Sequence, residues 1–262
     1  MCRFHLKKAA VNWYTAMVLK NTKSKQKYLP DVVILCGGQG TRFRQVASDI
    51  PKALASVGNG VFLDILLKSI FNQGFKRVIL AVGHMKEKII QKYSRDDRML
   101  FSEESEPLGT GGAAMKALKL VRTENFVVMN GDCHSEVDLK KMYAEHLENK
   151  PLITMALAEM EDVSDYGSVS VGEANKILAF EEKSPQKRAG LVNAGVYIFN
   201  KKIVSHTPGV RFSLERDLFP AVILEKPCYA HIVKGGILDI GIPERYNLAK
   251  QKFAKRNNTS FD

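Results

Sequence analysis

From Asp31 onward, apolar runs of strand length close on glycine and alternate with stretches of helical spacing, which restricts the chain to an α/β architecture. VVILCGG at 32–38 is a β-branched run ending in glycines, DILLKSIFNQG at 64–74 repeats apolar residues at helical spacing and stops at Gly74, and RVILAVGH at 77–84 is strand again. The same alternation continues through MKEKIIQKY, MLFSEE, GGAAMKALKLV, FVVMNGD and DLKKMYAEHLENK. The expectation is a doubly wound, mostly parallel sheet that presents the carboxyl ends of its strands to a ligand. The second half is richer in strands, with LITMALAEM, YGSVSVG, KILAFEEK and LVNAGVYIFN in quick succession, and reads as a β-rich extension. No internal repeat or low-complexity linker separates the halves, so one domain with a substrate-facing appendage is expected.

Composition narrows the partners. With 262 residues, 45% hydrophobic and 26% charged, the chain is neither disordered nor collagen nor coiled coil. The formal charge is +11, but residues 1–28 hold seven basic residues and no acid, leaving +4 for the rest. That mild excess suits a polyanionic small substrate, and no zinc-finger or RNP-type signature points to nucleic acid. The apolar stretch Ala9–Leu19 contains Asn12, lacks a small-residue cleavage site and is too short to span a bilayer, so no stable membrane insertion is expected. Residues 1–30 read as a basic N-terminal extension, with an amphipathic surface helix around Trp13, Tyr14 and Met17 as the alternative. Cys2, Cys36, Cys133 and Cys228 form no CxxC pair, which points to a reducing cytoplasm.

The chemistry starts at CGGQGTRFR, 36–44, where three glycines follow a strand and basic residues come close behind. Such a loop lets backbone N–H groups approach phosphate oxygens, although a tight strand-to-helix turn would look the same. The loop matches neither GxxxxGK[ST] nor GxGxxG in full. Beyond it come SDIPK at 48–52, EPLGTGGA at 106–113, NGD at 130–132, YGSV at 166–169, FEEK at 180–183, NAG at 193–195 and DIGIP at 239–243, the earlier ones expected at or just past strand ends. Taken together and in this order, the set resembles the sugar-1-phosphate nucleotidyltransferases from about Asp31 to Lys250. GGQGTRF, SDIPK, EPLGTGGA, NGD and DIGIPERY resemble in particular the D-glycero-D-manno-heptose 1-phosphate guanylyltransferases, with mannose-1-phosphate guanylyltransferases and glucose-1-phosphate uridylyl- or thymidylyltransferases as neighbours.

The resemblance implies a Rossmann-like, glycosyltransferase-A-like nucleotidyltransferase domain over residues 31–255, followed by a tail at 256–262. It implies transfer of a nucleotidyl group, GTP being the expected donor, to a sugar 1-phosphate with release of pyrophosphate and no covalent enzyme intermediate. Asp132 and Asp239 match the family's divalent-metal carboxylates, so Mg²⁺ is the expected cofactor. Each Asp alone would read as a cap or turn residue. Arg42 and Lys52 match the groups that hold the triphosphate, and Lys183 matches the lysine that grips the sugar phosphate. Gly167, Glu182 and Asn193 are expected on the sugar side. The nucleotide is expected against Leu35, Gly37, Gly38, Gly40 and Thr41 on one loop and Glu106, Gly109 and Thr110 on another. Two departures from the family are visible: Pro51-Lys52-Ala53 lacks the usual second proline, and Phe43 stands where leucine is usual. His134 follows the metal aspartate closely, whereas His5, His84, His146, His206 and His231 show no ligand spacing. A silent relative that only binds a nucleotide sugar is the contrasting reading, and the retained Arg42, Lys52, Asp132, Lys183 and Asp239 speak against it. The chain leaves a homo-oligomer open.

Overall fold

The computed structural model describes residues 29–40, 43, 49–182 and 187–258, so nearly all of the basic N-terminal extension lies outside the described residues. In chain order the strands and helices are β1 (Val32–Leu35), β2 (Ser56–Val57), β3 (Gly60–Val61), α1 (Phe62–Asn72), β4 (Val78–Val82), α2 (Lys86–Tyr93) and β5 (Met99–Glu103). Then follow α3 (Gly109–Ala117), β6 (Asn125–Asn130), β7 (Cys133–His134), α4 (Leu139–Asn149), β8 (Ile153–Met160) and β9 (Gly167–Val171). The chain ends with β10 (Ile177–Glu182), β11 (Gly190–Asn200), α5 (Phe219–Glu225), β12 (Tyr229–Val233), β13 (Leu238–Asp239) and α6 (Pro243–Asn258). Among the described residues no helix is long and apolar enough to cross a membrane.

One nine-stranded sheet organises the fold, with the order β10-β9-β11-β6-β1-β4-β5 and with β8 on β11 and β12 on β8. β1 runs parallel to both neighbours, Val32 opposite Val78 on β4 and opposite Val127 on β6. Its side chains alternate between layers. Val32 and Ile34 enter a core shared with α1, α2, α4 and α6, while Val33 enters a second core shared with α3 and α5. A strand buried on both faces has no polar side, which is why the run VVIL shows no alternation. In α3 the sheet-facing residues Ala113, Ala114 and Ala117 are small and buried.

The β-rich half is an extension of this same sheet. β11 lies antiparallel on β6, from Val196 opposite Met129 to Asn200 opposite Asn125. Phe199 meets Phe126 edge-to-face at 5.7 Å between ring centroids and stacks on Tyr197 at 5.8 Å. The register of β11 against β8 shifts between Asn193 and Tyr197, and Gly195 takes φ +71° in that interval. A side chain there would meet Asn130 at the end of β6.

α4 starts at Asp138, whose carboxylate accepts from the Lys141 N–H at 2.9 Å. Its inner face carries His146, 1% exposed, with Nδ1 at 2.8 Å from Thr154 Oγ1 and Nε2 at 3.2 Å from Asn125 Oδ1. Asn125 Oδ1 also accepts from Asn200, so Nε2 carries the proton and Nδ1 accepts from the threonine hydroxyl. Burial lowers the His146 pKa from 6.5 to about 4. The unfolded chain binds this proton first as pH falls, so the neutral histidine contributes stability in full above pH 6.5 that is lost as pH drops toward about 4. Urea unfolding between pH 7 and pH 4 is expected to show His146→Gln with a shallower loss of stability than the native chain, by about 3 kcal/mol across the window. An identical slope in the two proteins would rule out His146 as a source of acid lability.

Candidate active site

Chain order turns around at β1: the strands that follow it go to one side as β4 and β5, and β6 lies on the other. Loops leaving the carboxyl ends of strands at such a switch point diverge and open a crevice. Here the crevice is a cleft of about 320 Å³ lined by Leu35 to Gly40, Lys52, Ala53, Glu104, Pro107, Gly109, Thr110, Ala113 and Asn130 to Asp132.

The glycine loop after β1 is wedged between the ends of its neighbours. Cys36 N–H donates to Ala81, and Gly131 N–H donates to Leu35. A Cβ on Gly37 would lie 2.5 Å from Glu104 Oε1, and one on Gly131 would lie 2.5 Å from the Leu35 carbonyl. Gly38, by contrast, has nothing within 4 Å and leaves the cleft floor open. Leu35, Gly37, Gly38 and Gly40 all line the cleft. Thr41 and Arg42 lie outside the described residues.

Lys52 is not at a strand end. It opens a 3₁₀ turn, Lys52–Leu54, and its ammonium pairs with Asp132 at 2.5 Å. Asp132 lies two positions past the end of β6. β7 and β13 pair for two residues, putting Asp239 opposite Cys133, and Ile240 N–H donates to the Asp132 carbonyl at 3.0 Å. That short ladder brings two aspartates, 107 positions apart in sequence, to neighbouring places. Asp239 Oδ1 accepts from Gly241 N–H at 2.8 Å, and Oδ2 accepts from Arg245 at 2.8 Å and Tyr166 at 3.4 Å. Arg245 also pairs with Asp165 at 2.7 Å and lies 4.5 Å over the Tyr166 ring.

Among the described residues no three metal-ligating side chains cluster. Asp132, which lines the cleft, and Asp239 beside it are a donor set of hard oxygens, which fits an ion that keeps waters and takes further oxygens from a phosphate. His134 turns instead to the helix behind, edge-to-face with Phe253 at 5.5 Å.

Glu106, expected at the nucleotide, is exposed and paired with Arg211 at 2.7 Å. The acid that lines the cleft beside the Leu108–Gly109 turn is Glu104, only 8% exposed, with Oε2 accepting from Leu108 N–H at 3.0 Å. Along β5 and its end Ser102 and Glu104 are buried and Glu103 is exposed, whereas Glu106 lies past the end of the strand, where packing and not alternation decides. Burial raises the Glu104 pKa, opposed by the Leu108 N–H and the charge of Lys116. Gly109 opens α3 at φ +76° with no room for a side chain, a Cβ there lying 2.4 Å from the Phe212 carbonyl. Thr110 lines the cleft, but its hydroxyl donates to Glu215 at 2.7 Å and accepts from Leu214 N–H at 2.9 Å.

The residues expected around the sugar also assemble. Gly167 and Glu182 face each other across β9 and β10, and Val192, next to Asn193, pairs with Ser168. Asn193 donates to the Tyr197 hydroxyl at 2.7 Å and accepts from Gly195 N–H at 2.9 Å. Lys183 lies outside the described residues. Tyr166, Asp165 and Arg245 were not singled out individually in the sequence, although Tyr166 and Arg245 sit inside the YGSV and DIGIPERY motifs.

Residues 31–256 match the nucleotidyl transferase family. The chain belongs to that family. It is 37% identical over 227 residues to the D-glycero-alpha-D-manno-heptose 1-phosphate guanylyltransferase of Aneurinibacillus thermoaerophilus, covering 85% of this chain and 97% of that one. It is 31% identical to the mannose-1-phosphate guanylyltransferase of Mycobacterium tuberculosis, covering 82% of this chain and 62% of that one. Among solved structures it resembles HddC from Yersinia pseudotuberculosis complexed with GMP-PN, with TM-score 0.76, 36% identity, and coverage of 86% of this chain and 100% of that one. As a nucleotidyltransferase it has a mixed α/β fold whose central sheet agrees with the parallel core expected from the sequence.

The electrostatics of the cleft are set by one pair. Burial pushes the Asp132 carboxyl up, but the charge and hydrogen bond of Lys52, together with the Cys133 thiol, bring it below the usual carboxylate range. Removing the cation while keeping the stem, as in Lys52→Met, is therefore expected to move the Asp132 pKa upward, past its ordinary value. Titration of the Asp132 carboxyl carbon by NMR reads this directly, and a pKa still below the usual range would assign the shift to Cys133 and the backbone.

Proposed function

We propose that this chain transfers a guanylyl group from GTP to a sugar 1-phosphate, with D-glycero-D-manno-heptose 1-phosphate as the acceptor, and releases pyrophosphate. The observation that carries the reading is the β7–β13 pairing, which brings Asp239 beside Asp132, itself a lining residue of the glycine-lined cleft on a nucleotidyltransferase sheet. The named activities of the heptose and mannose relatives support guanylyl transfer to a sugar phosphate, and the mannose relative supports mannose 1-phosphate as the second acceptor to test.

In this reading the phosphate oxygen of the sugar attacks the α-phosphorus, a new P–O bond forms, and the α–β bridging bond breaks to free pyrophosphate. The enzyme supplies no nucleophile; it brings two anions together and offsets their charge. Lys52, joined by Arg42, balances the triphosphate and the leaving group. Lys183 grips the incoming sugar phosphate, while Gly167, Glu182 and Asn193 orient the sugar hydroxyls. Asp132 and Asp239 would hold Mg²⁺, which when bound neutralises phosphate charge and polarises the reacting phosphorus.

The nucleotide base belongs at Glu104 and the Gly109 turn. Guanine presents two adjacent N–H donors on its pairing edge, and an ionised carboxylate accepts from both. Adenine presents an acceptor at one of those places and would set it against the carboxylate. ATP, UTP, CTP and dTTP are the weaker donors on this reading. Synthesis from nucleoside triphosphates places the reaction in the cytoplasm, where those substrates are made.

Pyrophosphate release with Mg²⁺, measured for five nucleoside triphosphates against heptose, mannose and glucose 1-phosphates, tests the reading. Release with GTP and the heptose phosphate is the expected result; release with mannose 1-phosphate alone would move the acceptor and keep the mechanism. Asp132→Asn and Asp239→Asn are each expected to cut turnover by about a hundredfold or more, the scale lost with a principal charge-stabilising group. Native rates in both variants would overturn the metal assignment. Glu104→Gln, which replaces half of the acceptor with a donor, is expected to shrink the kcat/KM preference for GTP over ATP by about tenfold or more. An unchanged preference would remove Glu104 from base selection.

A further inference from the structure

Behind the base-facing turn runs a strap, residues 210–215, that belongs neither to the sheet nor to the cleft lining. Its contacts with the start of α3 are dense. Phe212 N–H donates to the Leu108 carbonyl at 3.0 Å, and the Phe212 carbonyl accepts from Gly111 at 3.0 Å and Gly112 at 3.3 Å. A Cβ on Gly111 would overlap the Phe212 ring, and one on Gly112 would overlap the Val210 carbonyl. The glycines of PLGTGG thus admit the strap.

One carboxylate ties this arrangement together. Glu215 Oε2 accepts from Thr110 Oγ1 at 2.7 Å and from Ser213 Oγ at 2.8 Å. Thr110 in turn accepts from Leu214 N–H, and Ser213 caps the following turn by accepting from Glu215 and Arg216 N–H groups. Tyr197, fully buried on β11, accepts from the Asn193 amide through its hydroxyl. Burial first, and the Glu215 charge next, push the Tyr197 hydroxyl well above its usual pKa.

We propose that Glu215 is a positioning residue for the nucleotide: by holding Thr110 and Ser213 it fixes the Leu108–Gly109 turn at the place where the base must lie. This rests on the reading of the glycine-lined cleft as the nucleotide site. Glu215 touches no substrate and acts through the hydroxyl of Thr110 and the backbone of the strap. Because the function is to accept two hydrogen bonds, a glutamine at this place keeps it and an alanine does not.

The test is steady-state kinetics of Glu215→Ala and Glu215→Gln on the full chain, varying GTP and sugar 1-phosphate separately, with thermal unfolding of each protein. The expected result is a rise of about tenfold in the KM for GTP in Glu215→Ala, the scale of losing hydrogen bonds to a charged acceptor, with much smaller changes in kcat and in the sugar-phosphate KM. Glu215→Gln is expected to restore the GTP KM to within about threefold of native, neutral partners bonding less strongly than charged ones. A GTP KM unchanged in Glu215→Ala, or a fall in Tm with both KM values and kcat altered alike, would overturn the proposal. Gly38→Leu separates this from the underlying reading, since Gly38 has open space around it and a leucine there would fill the cleft without disturbing the fold. If Gly38→Leu leaves GTP binding by calorimetry at its native strength, the cleft is not the nucleotide site and both fall. If it abolishes binding while Glu215→Ala changes nothing, only the role of Glu215 falls.

Discussion

Two negative charges held beside each other are the constraint around which this site is built. The two-residue ladder of β7 and β13 sets Asp239 opposite Cys133, next to Asp132, and like charges so placed repel unless each is compensated. Each has its own cation in the structure. Lys52 reaches Asp132 from the turn before the β2–β3 hairpin, and Arg245 reaches Asp239 from the first turn of α6. The surrounding segments inherit their positions from this pairing. Arg245 also collects Asp165 and lies over Tyr166, so the connection between β8 and β9 is drawn to the same point. A single buried pair would contribute little to stability after desolvation, but removing one partner would leave a charge uncompensated.

A second constraint is steric. The strand ends at the switch point approach so closely that Gly37, Gly83 and Gly131 have no room for a methyl group, the nearest atoms lying 2.5 to 2.9 Å from where it would be. Close backbone approach turns the carboxyl edge of the sheet into a shallow floor made of peptide groups, with Gly38 open above it. The floor is therefore set by the register of β1 between β4 and β6, which is in turn fixed by burial on both faces.

Much of this was legible because burial on both faces leaves an unbroken apolar run, and VVIL, VILAV and NFVVMN all became strands of the parallel core. The extension was legible as strands, but its attachment was not: that β11 lies on β6 depends on contacts between residues some 70 positions apart, such as Asn200 opposite Asn125. β7 and β13 are two residues each and carry no periodicity to detect. Asp132 and Asp239 could be paired only through the motifs that flank them. Glu106 and Glu104 differ by two positions and so have the same strand parity, but the chain leaves β5 at Glu103 and turns, and only tertiary packing tells which acid stays inside. Arg245 was hidden for another reason: a basic residue on the first turn of a polar helix reads as solvated, and the carboxylates that recruit it are 6 and 80 positions away.

The strap behind α3 bears on how a nucleotide lies in the cleft. A helix N-terminus with free N–H groups is an attractive seat for phosphate, and α3 opens on glycines at the cleft wall. Yet the N–H groups of Gly111 and Gly112 are already taken by the Phe212 carbonyl, and the Thr110 hydroxyl is committed to Glu215. What remains at that end is a bare turn, with the Glu104 carboxylate beside it, which suits a flat base and repels an anion. Elsewhere along the cleft stands Lys52, packed against Gly40. The two regions of the cleft differ in kind, and on the proposed reading that difference would orient a nucleotide with its base toward α3 and its phosphates toward Lys52.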